Sequence, residues 1–127
     1  MLTTSQWQEI ESRLFDFQET VSIKADGYTL TFVTFRKKSK LIIQIFVNEK
    51  CKTDWALKDC EIRHKFFCPK TSCLLSQKQI ESYTKNRKFQ KELRKQYSYT
   101  YYVPYWSSFS RLKNHLIKSC MDIEYTE

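Results

Sequence analysis

Glycine occurs once in the 127 residues, at Gly27, and proline twice, at Pro69 and Pro104. That scarcity excludes a glycine-rich phosphate loop and argues against a sandwich of many glycine-built turns. No apolar run approaches the roughly 18 residues that a membrane span needs. Acidic side chains are few, fourteen against twenty-two Lys and Arg, and they are scattered. Metal-dependent hydrolysis wants clustered carboxylates, and the local pairs nearest to that are Asp54 with Asp59 and Asp59 with Glu61, where an acid beside Lys58 or Arg63 reads most simply as a surface ion pair. The opening MLTTSQWQEIE lacks the basic and apolar segments of a leader peptide. Five cysteines, an odd number without a leader, argue against a secreted disulfide framework. The expectation is a cytoplasmic protein with reduced thiols.

What is present describes one globular domain over residues 1–127, with 41% hydrophobic, 16% aromatic and 28% charged residues. The net charge of +8 is uneven: residues 1–60 contribute +1 and residues 61–127 contribute +7. Such asymmetry suggests a nucleic-acid, anionic-membrane or acidic-protein partner, although charge also serves solubility.

The spacing predicts a first helix over 4–17, with Trp7, Ile10, Leu14 and Phe17 as its stripe and Ser5/Gln8 as a capping box. Residues 20–56 read as a four-stranded antiparallel meander: Val21–Ala25, Tyr28–Phe35, Leu41–Val47 and Cys51–Ala56. Asp26-Gly27, the basic turn 36–40 and Asn48-Glu49-Lys50 join them. Residues 59–67 form a short helix ending before Pro69, and 70–75 a loop. Ser76 and Gln79 cap a long basic helix over 76–95 whose apolar stripe is Ile80, Tyr83, Phe89 and Leu93. Between Lys70 and Lys95 stand eight cations and two carboxylates, Glu81 and Glu92. Residues 97–106 are extended, with Tyr97, Tyr99 and Tyr101 on one side and Pro104 ending the pairing. Ser107 or Ser108 caps a last helix with Phe109, Leu112, Leu116 and Cys120 buried, and the acidic tail frays. The fold class is α+β: an N-terminal helix, the meander, then two C-terminal helices with the tyrosine segment between them.

Three chemistries compete for the remaining residues. Cys60, His64, Cys68 and Cys73 form a loose cluster, but the two close pairs usual for structural zinc are missing. Cys60 with His64, or Cys120 with His115, has the composition of a thiol–imidazole pair. The basic–aromatic combination is the strongest, since Lys and Arg neutralise phosphates and Tyr rings stack on unpaired bases. Its candidate residues are Lys85, Arg87, Lys88, Lys91, Arg94, Lys95, Tyr97, Tyr99 and Tyr101. The competing reading packs the tyrosines over the sparse stripe of the basic helix.

Three segments carry a resemblance to a family of small proteins encoded by bacteriophages and prophages of Gram-negative bacteria. They are Lys24-Ala25-Asp26-Gly27-Tyr28-Thr29-Leu30-Thr31, Trp55-Ala56-Leu57-Lys58-Asp59-Cys60-Glu61, and the block from Tyr99 through Val103-Pro104-Tyr105-Trp106 to Lys118. The likeness is weak between Phe66 and Lys95. The chain departs from it at Asn48-Glu49, where the family resembles Asn-Gly. The resemblance implies no activity, substrate or site residue. It does imply a phage setting, where small accessory proteins work mostly by binding. The expected function is non-catalytic inhibition of a host nucleic-acid-handling or defence complex, as anti-CRISPR proteins do, within the bacterial cytoplasm. The alternative is a DNA- or RNA-binding phage regulator, and a minor virion or assembly component ranks below it. The expected partner is a host protein or nucleoprotein complex, with no membrane, no cofactor and no metal.

Overall fold

The computed structural model describes residues 1–126. It is α+β with antiparallel pairing, and it divides into two compact units. The first comprises Met1–Cys68 and Tyr102–Glu127, the second Pro69–Tyr101.

In the first unit, helix α1 (Thr4–Phe15) buries Trp7, Ile10 and Leu14. Its capping box is Thr3 with Gln6, two residues earlier than the Ser5/Gln8 reading, and Phe17 lies beyond the helix, 69% exposed. Strands β1 (Val21–Ala25), β2 (Tyr28–Lys37) and β3 (Lys40–Val47) form the expected antiparallel meander. Two-residue loops join them. Asp26-Gly27 has φ of 49° and 85°, Lys38-Ser39 has 49° and 69°, and Asn48-Glu49 after β3 has 51° and 66°. Positive φ at both central positions marks turns whose twist matches the strands. Only Gly27 adopts it without a Cβ penalty.

Glu49→Gly is therefore expected to stabilise the protein by about 1 kcal/mol. The loop stays pinned meanwhile, by Asn48 Oδ1 accepting from Thr29 N at 3.0 Å and Asn48 N donating to Thr29 O at 2.8 Å. A melting temperature unchanged or lowered by Glu49→Gly would show that the strain is relieved locally.

The fourth strand of the expected meander does not form. Lys50 makes one bridge to Val47, and the chain then turns into the short helix α2 (Asp54–Leu57). The edge beside β3 belongs instead to residues far along the chain: Ile45 N donates to Pro104 O at 2.9 Å, and Tyr105–Trp106 pairs with Ile43 and Gln44. The tail does not fray at Ile123–Thr126, which pairs with β1. Glu127 lies outside the described residues. Numbering in chain order, α3 is Glu61–Phe66, β4 Cys68–Cys73, α4 Gln77–Tyr83, α5 Arg87–Gln96, β5 Ser98–Val103, β6 Tyr105–Trp106, α6 Phe109–Ser119 and β7 Ile123–Thr126. The five-stranded sheet runs β6-β3-β2-β1-β7, and β4 with β5 makes a two-stranded one.

One face of the large sheet is buried. Val21, Ile23, Leu30, Phe32, Ile43, Ile45 and Val47 meet α1, α3 and α6 through Ile10, Leu14, Phe66, Leu112 and Leu116, all at most 1% exposed. At roughly 1.5–3 kcal/mol per fully buried large apolar side chain, this layer is the main stabilising term. The opposite face carries Val33, Phe35, Ile42 and Phe46, each half-buried. Trp106 spans from β6 into the core, and its indole N–H donates to Phe66 O at 3.0 Å. Helix α6 begins at Ser108, whose hydroxyl accepts from Arg111 N, and buries the expected Phe109, Leu112 and Leu116. Among the described residues no helix is long and apolar enough to cross a membrane.

The second unit corrects two expectations. Residues 70–75 are not a loop but mostly strand β4, and the single basic helix is two. Helix α4 keeps the Ser76/Gln79 capping box and ends at Thr84. The chain then restarts at Asn86, whose side chain accepts from Lys88 N at 2.9 Å. Thr84 Oγ1 accepts from Asn86 N, and Gln90 Nε2 donates to Thr84 O, so the break is tied on both sides. Short polar side chains compete with the helical ladder in this way and make starts where periodicity alone predicts continuity. Three long helices, α4, α5 and α6, thus stand where two were expected.

Candidate nucleic-acid interface

The nine candidate residues all fall in the second unit, and all are exposed. Arg87, Lys88, Lys91, Arg94 and Lys95 recur at i, i+1, i+4, i+7 and i+8 along α5, which places them on one face. Lys85 does not join them, because it sits in the link between α4 and α5. Tyr97 is the C-cap of α5, its N–H bonded to Leu93 O, and its carbonyl accepts from Leu74 N at 3.0 Å. Tyr99 and Tyr101 stand on the same side of β5 with ring centroids 6.0 Å apart and planes tilted by 41°.

The tyrosines do not cover the apolar stripe. Tyr97, Tyr99 and Tyr101 are 39%, 46% and 40% exposed, and the stripe residues Tyr83 and Phe89 are themselves 71% and 56% exposed. Ile80 alone of that stripe is fully buried. Among the described residues, no cation of this unit makes an ion pair. Glu81 accepts from Gln77 instead. Arg94 and Lys95 in the last turn of α5 face the negative end of its dipole, a favourable placement. Chemically, the unit presents unneutralised cations beside open phenol rings.

On the far side of α5, Phe89, Glu92, Leu93 and Gln96 join Tyr83 and Thr84 of α4 and its C-cap to line a groove of about 340 Å³. The sequence signalled its apolar residues as a helix stripe. It did not signal that the stripe would stay open, because that follows from the break at 84–86.

A separate cluster in the first unit escaped the sequence reading. Asp59 Oδ1 accepts from His64 Nε2 at 2.5 Å, and His64 Nδ1 shares a hydrogen bond with the Tyr102 hydroxyl at 3.1 Å. The Arg63 guanidinium lies 4.6 Å from the Tyr102 ring centroid and donates to Asp59 at 3.3 Å. His64, foremost, holds the Asp59 carboxyl below its ordinary range. A carboxylate, an imidazole and a phenol in series orient the phenol and fix the ring, but Asp59 stays 76% exposed. Tyr102 lies 38 residues from His64, so no local spacing announces the chain.

The thiol–imidazole pairs do not assemble. Cys60 Sγ turns to Trp55 O while His64 is engaged as above. Cys120 is buried, its thiol pushed up to about 11, and His115 donates to His64 O at 3.1 Å, its pKa lowered by burial. The Cys60, His64, Cys68, Cys73 spacing does not close either: among the described residues no three His, Cys, Asp or Glu side chains converge as a metal site. No family model, no curated protein and no solved structure matches the chain.

Proposed function

We propose that this chain is a non-catalytic accessory protein of phage or prophage origin that binds and blocks a host nucleic-acid-handling or defence complex. The supporting observation is one unit, Pro69–Tyr101, that gathers eight cations against two carboxylates, with no ion pair among them, beside three exposed tyrosines. A surface so charged occupies a groove meant for nucleic acid or docks on acidic protein; its sign rules out mimicry of DNA by negative charge. The Tyr and Arg types are also those that anchor protein contacts.

A second reading has its own support. The Tyr99–Tyr101 spacing leaves two neighbouring ring faces in the open, which suits direct binding of single-stranded DNA or RNA. Affinity capture from a bacterial lysate, half of it nuclease-treated, separates the two. A defined host protein retained in both halves is the expected result for the inhibitor. Bound material that is nucleic acid and vanishes with nuclease assigns the protein to the second reading. Retention of nothing in either half rejects both.

A further inference from the structure

The groove between α4 and α5 has a composition that the cationic face does not explain. Two aromatic rings, Tyr83 and Phe89, stand in its wall largely exposed. The sole ring pair of this unit among the described residues is Tyr99 with Tyr101, so neither groove ring stacks on another ring. Beside them lie the carboxylate of Glu92 and the amide of Gln96. Glu92 is the only acidic residue of α5, in a unit where cations outnumber acids by eight to two.

The occupant that uses all of these groups is flat, partly apolar, and furnished with N–H donors for a carboxylate. An aliphatic or phenyl anchor from a protein would give the Glu92 carboxylate no donor to accept from. A phosphate would be repelled by it. A nucleobase satisfies each group: its faces take the rings, and its edge offers donors to Glu92 and either donor or acceptor to Gln96. A cavity of about 340 Å³ lies in the range of small-ligand sites and has room for one base with its sugar. Lys85 follows Thr84 and Lys88 precedes Phe89 in sequence, so one cation adjoins a groove residue from the α4–α5 link and another from α5.

We propose that the α4–α5 groove is a nucleobase-binding subsite, in which Tyr83 and Phe89 stack and Glu92 reads the base edge. This rests on the direct nucleic-acid reading above. Guanine is the preferred base, because its N1–H and N2 amino group present adjacent donors that a carboxylate accepts together.

Fluorescence anisotropy on the full chain tests this with labelled d(TTG)4, d(T)12 and a matched duplex at low salt. Expected are tighter binding of d(TTG)4 than d(T)12 by about 5-fold or more and a loss of about 5- to 150-fold in Tyr83→Ala and Phe89→Ala, the range for one stacked base. Phe89→Trp should keep the affinity, and its added emission should be quenched by the base, which guards against a variant that merely misfolds. Glu92→Gln should erase the guanine preference and leave d(T)12 binding in place. Competition by GMP shows that the base comes from a free nucleotide, and competition only by oligonucleotide shows that it comes from a strand. Wild-type affinity in Tyr83→Ala and Phe89→Ala, with binding lost in a Lys88, Lys91, Lys95→Glu variant, overturns the subsite and leaves the nucleic-acid reading standing. Equal binding of duplex and single strand also overturns it. Absence of binding by the wild type to any of these probes removes the subsite and the reading together.

Discussion

Replacing Lys88, Lys91 and Lys95 together by Glu is expected, on the nucleic-acid reading, to weaken binding by about 100- to 500-fold at 0.1 M salt. Each neutralised phosphate contributes roughly 0.7–0.9 to the slope of log affinity against log salt, so three lost contacts lower the slope by about 2–3. The added carboxylates repel phosphate further. Folding should hardly change, because the three residues share an exposed face without ion pairs, and reversal alters only helix-surface charge terms of a few tenths of a kcal/mol. The control is the same charge reversal in the first unit, at the exposed Arg36, Lys38 and Lys40 around the β2–β3 turn. If that variant loses as much affinity as the first, bulk charge and not the α5 face is responsible. If a host protein is the partner, the α5 variant should lose it from the lysate capture, and a shallow salt dependence should accompany the wild-type complex.

Asp26→Ala is expected to destabilise the protein by about 3 kcal/mol. The Asp26 carboxylate, 12% exposed, pairs with the Lys65 ammonium at 2.5 Å and accepts from Met121 N and Asp122 N at about 3 Å. It thereby ties the β1–β2 turn to α3 and to the segment that leads into β7. Removal leaves the half-buried Lys65 ammonium with only the longer contact to Glu61 at 3.4 Å and strands two backbone donors, each costly. Asp26→Asn keeps the turn preference and one acceptor oxygen, and should cost about half as much. The pH dependence has a definite sign. Lys65, then Asp122 N–H, holds the Asp26 carboxyl below its ordinary value. The pair therefore contributes fully above the unfolded carboxyl value of about 4, and that contribution is lost as pH falls through the lower folded value. Asp26, foremost, raises the Lys65 pKa, so at the alkaline end the contribution is lost only as pH rises through a value above the usual 10.5. Thermal melts of wild type and Asp26→Asn between pH 2 and 7 should converge toward the acid end; parallel curves would show that the carboxylate carries no linked stability.

The parts legible in the sequence were those set by neighbours along the chain. Asp26-Gly27 announced its turn, Ser76/Gln79 its capping box, and Phe109, Leu112 and Leu116 their buried stripe, because turn, cap and helix face are local. The edges of the sheet were not legible. Whether β3 is flanked by residues 51–56 or by Tyr105–Trp106 depends on where a chain segment some fifty residues later returns, and alternation reads the same either way. The short acidic tail looked like a frayed end because nothing in MDIEYTE shows that β1 has an open edge. In the candidate site, charge and aromatic content singled out a segment that the structure keeps exposed and within one unit, and the exposure of Tyr99 and Tyr101 followed the alternation. The break at Thr84–Asn86 was missed, since periodicity carried the helix across it, and with the break went the groove beside Phe89. Asp59 and His64 are near neighbours in the chain, but Tyr102 reaches them from β5, 38 residues beyond His64, and no spacing encodes that.

The second unit leaves and rejoins the first through β4 and β5, two strands of one small sheet. Its ends are therefore neighbours, and its length can change without shifting the register of any strand in the five-stranded frame. Such a segment is free to be exchanged as a cassette while the frame is inherited. The unpaired cations and open rings lie within it, and the buried apolar layer lies within the frame. Under the proposed phage setting, changes selected by a host would be carried at least cost between Pro69 and Tyr101, a stretch that holds most of residues 66–95, where the resemblance to the phage family is weak.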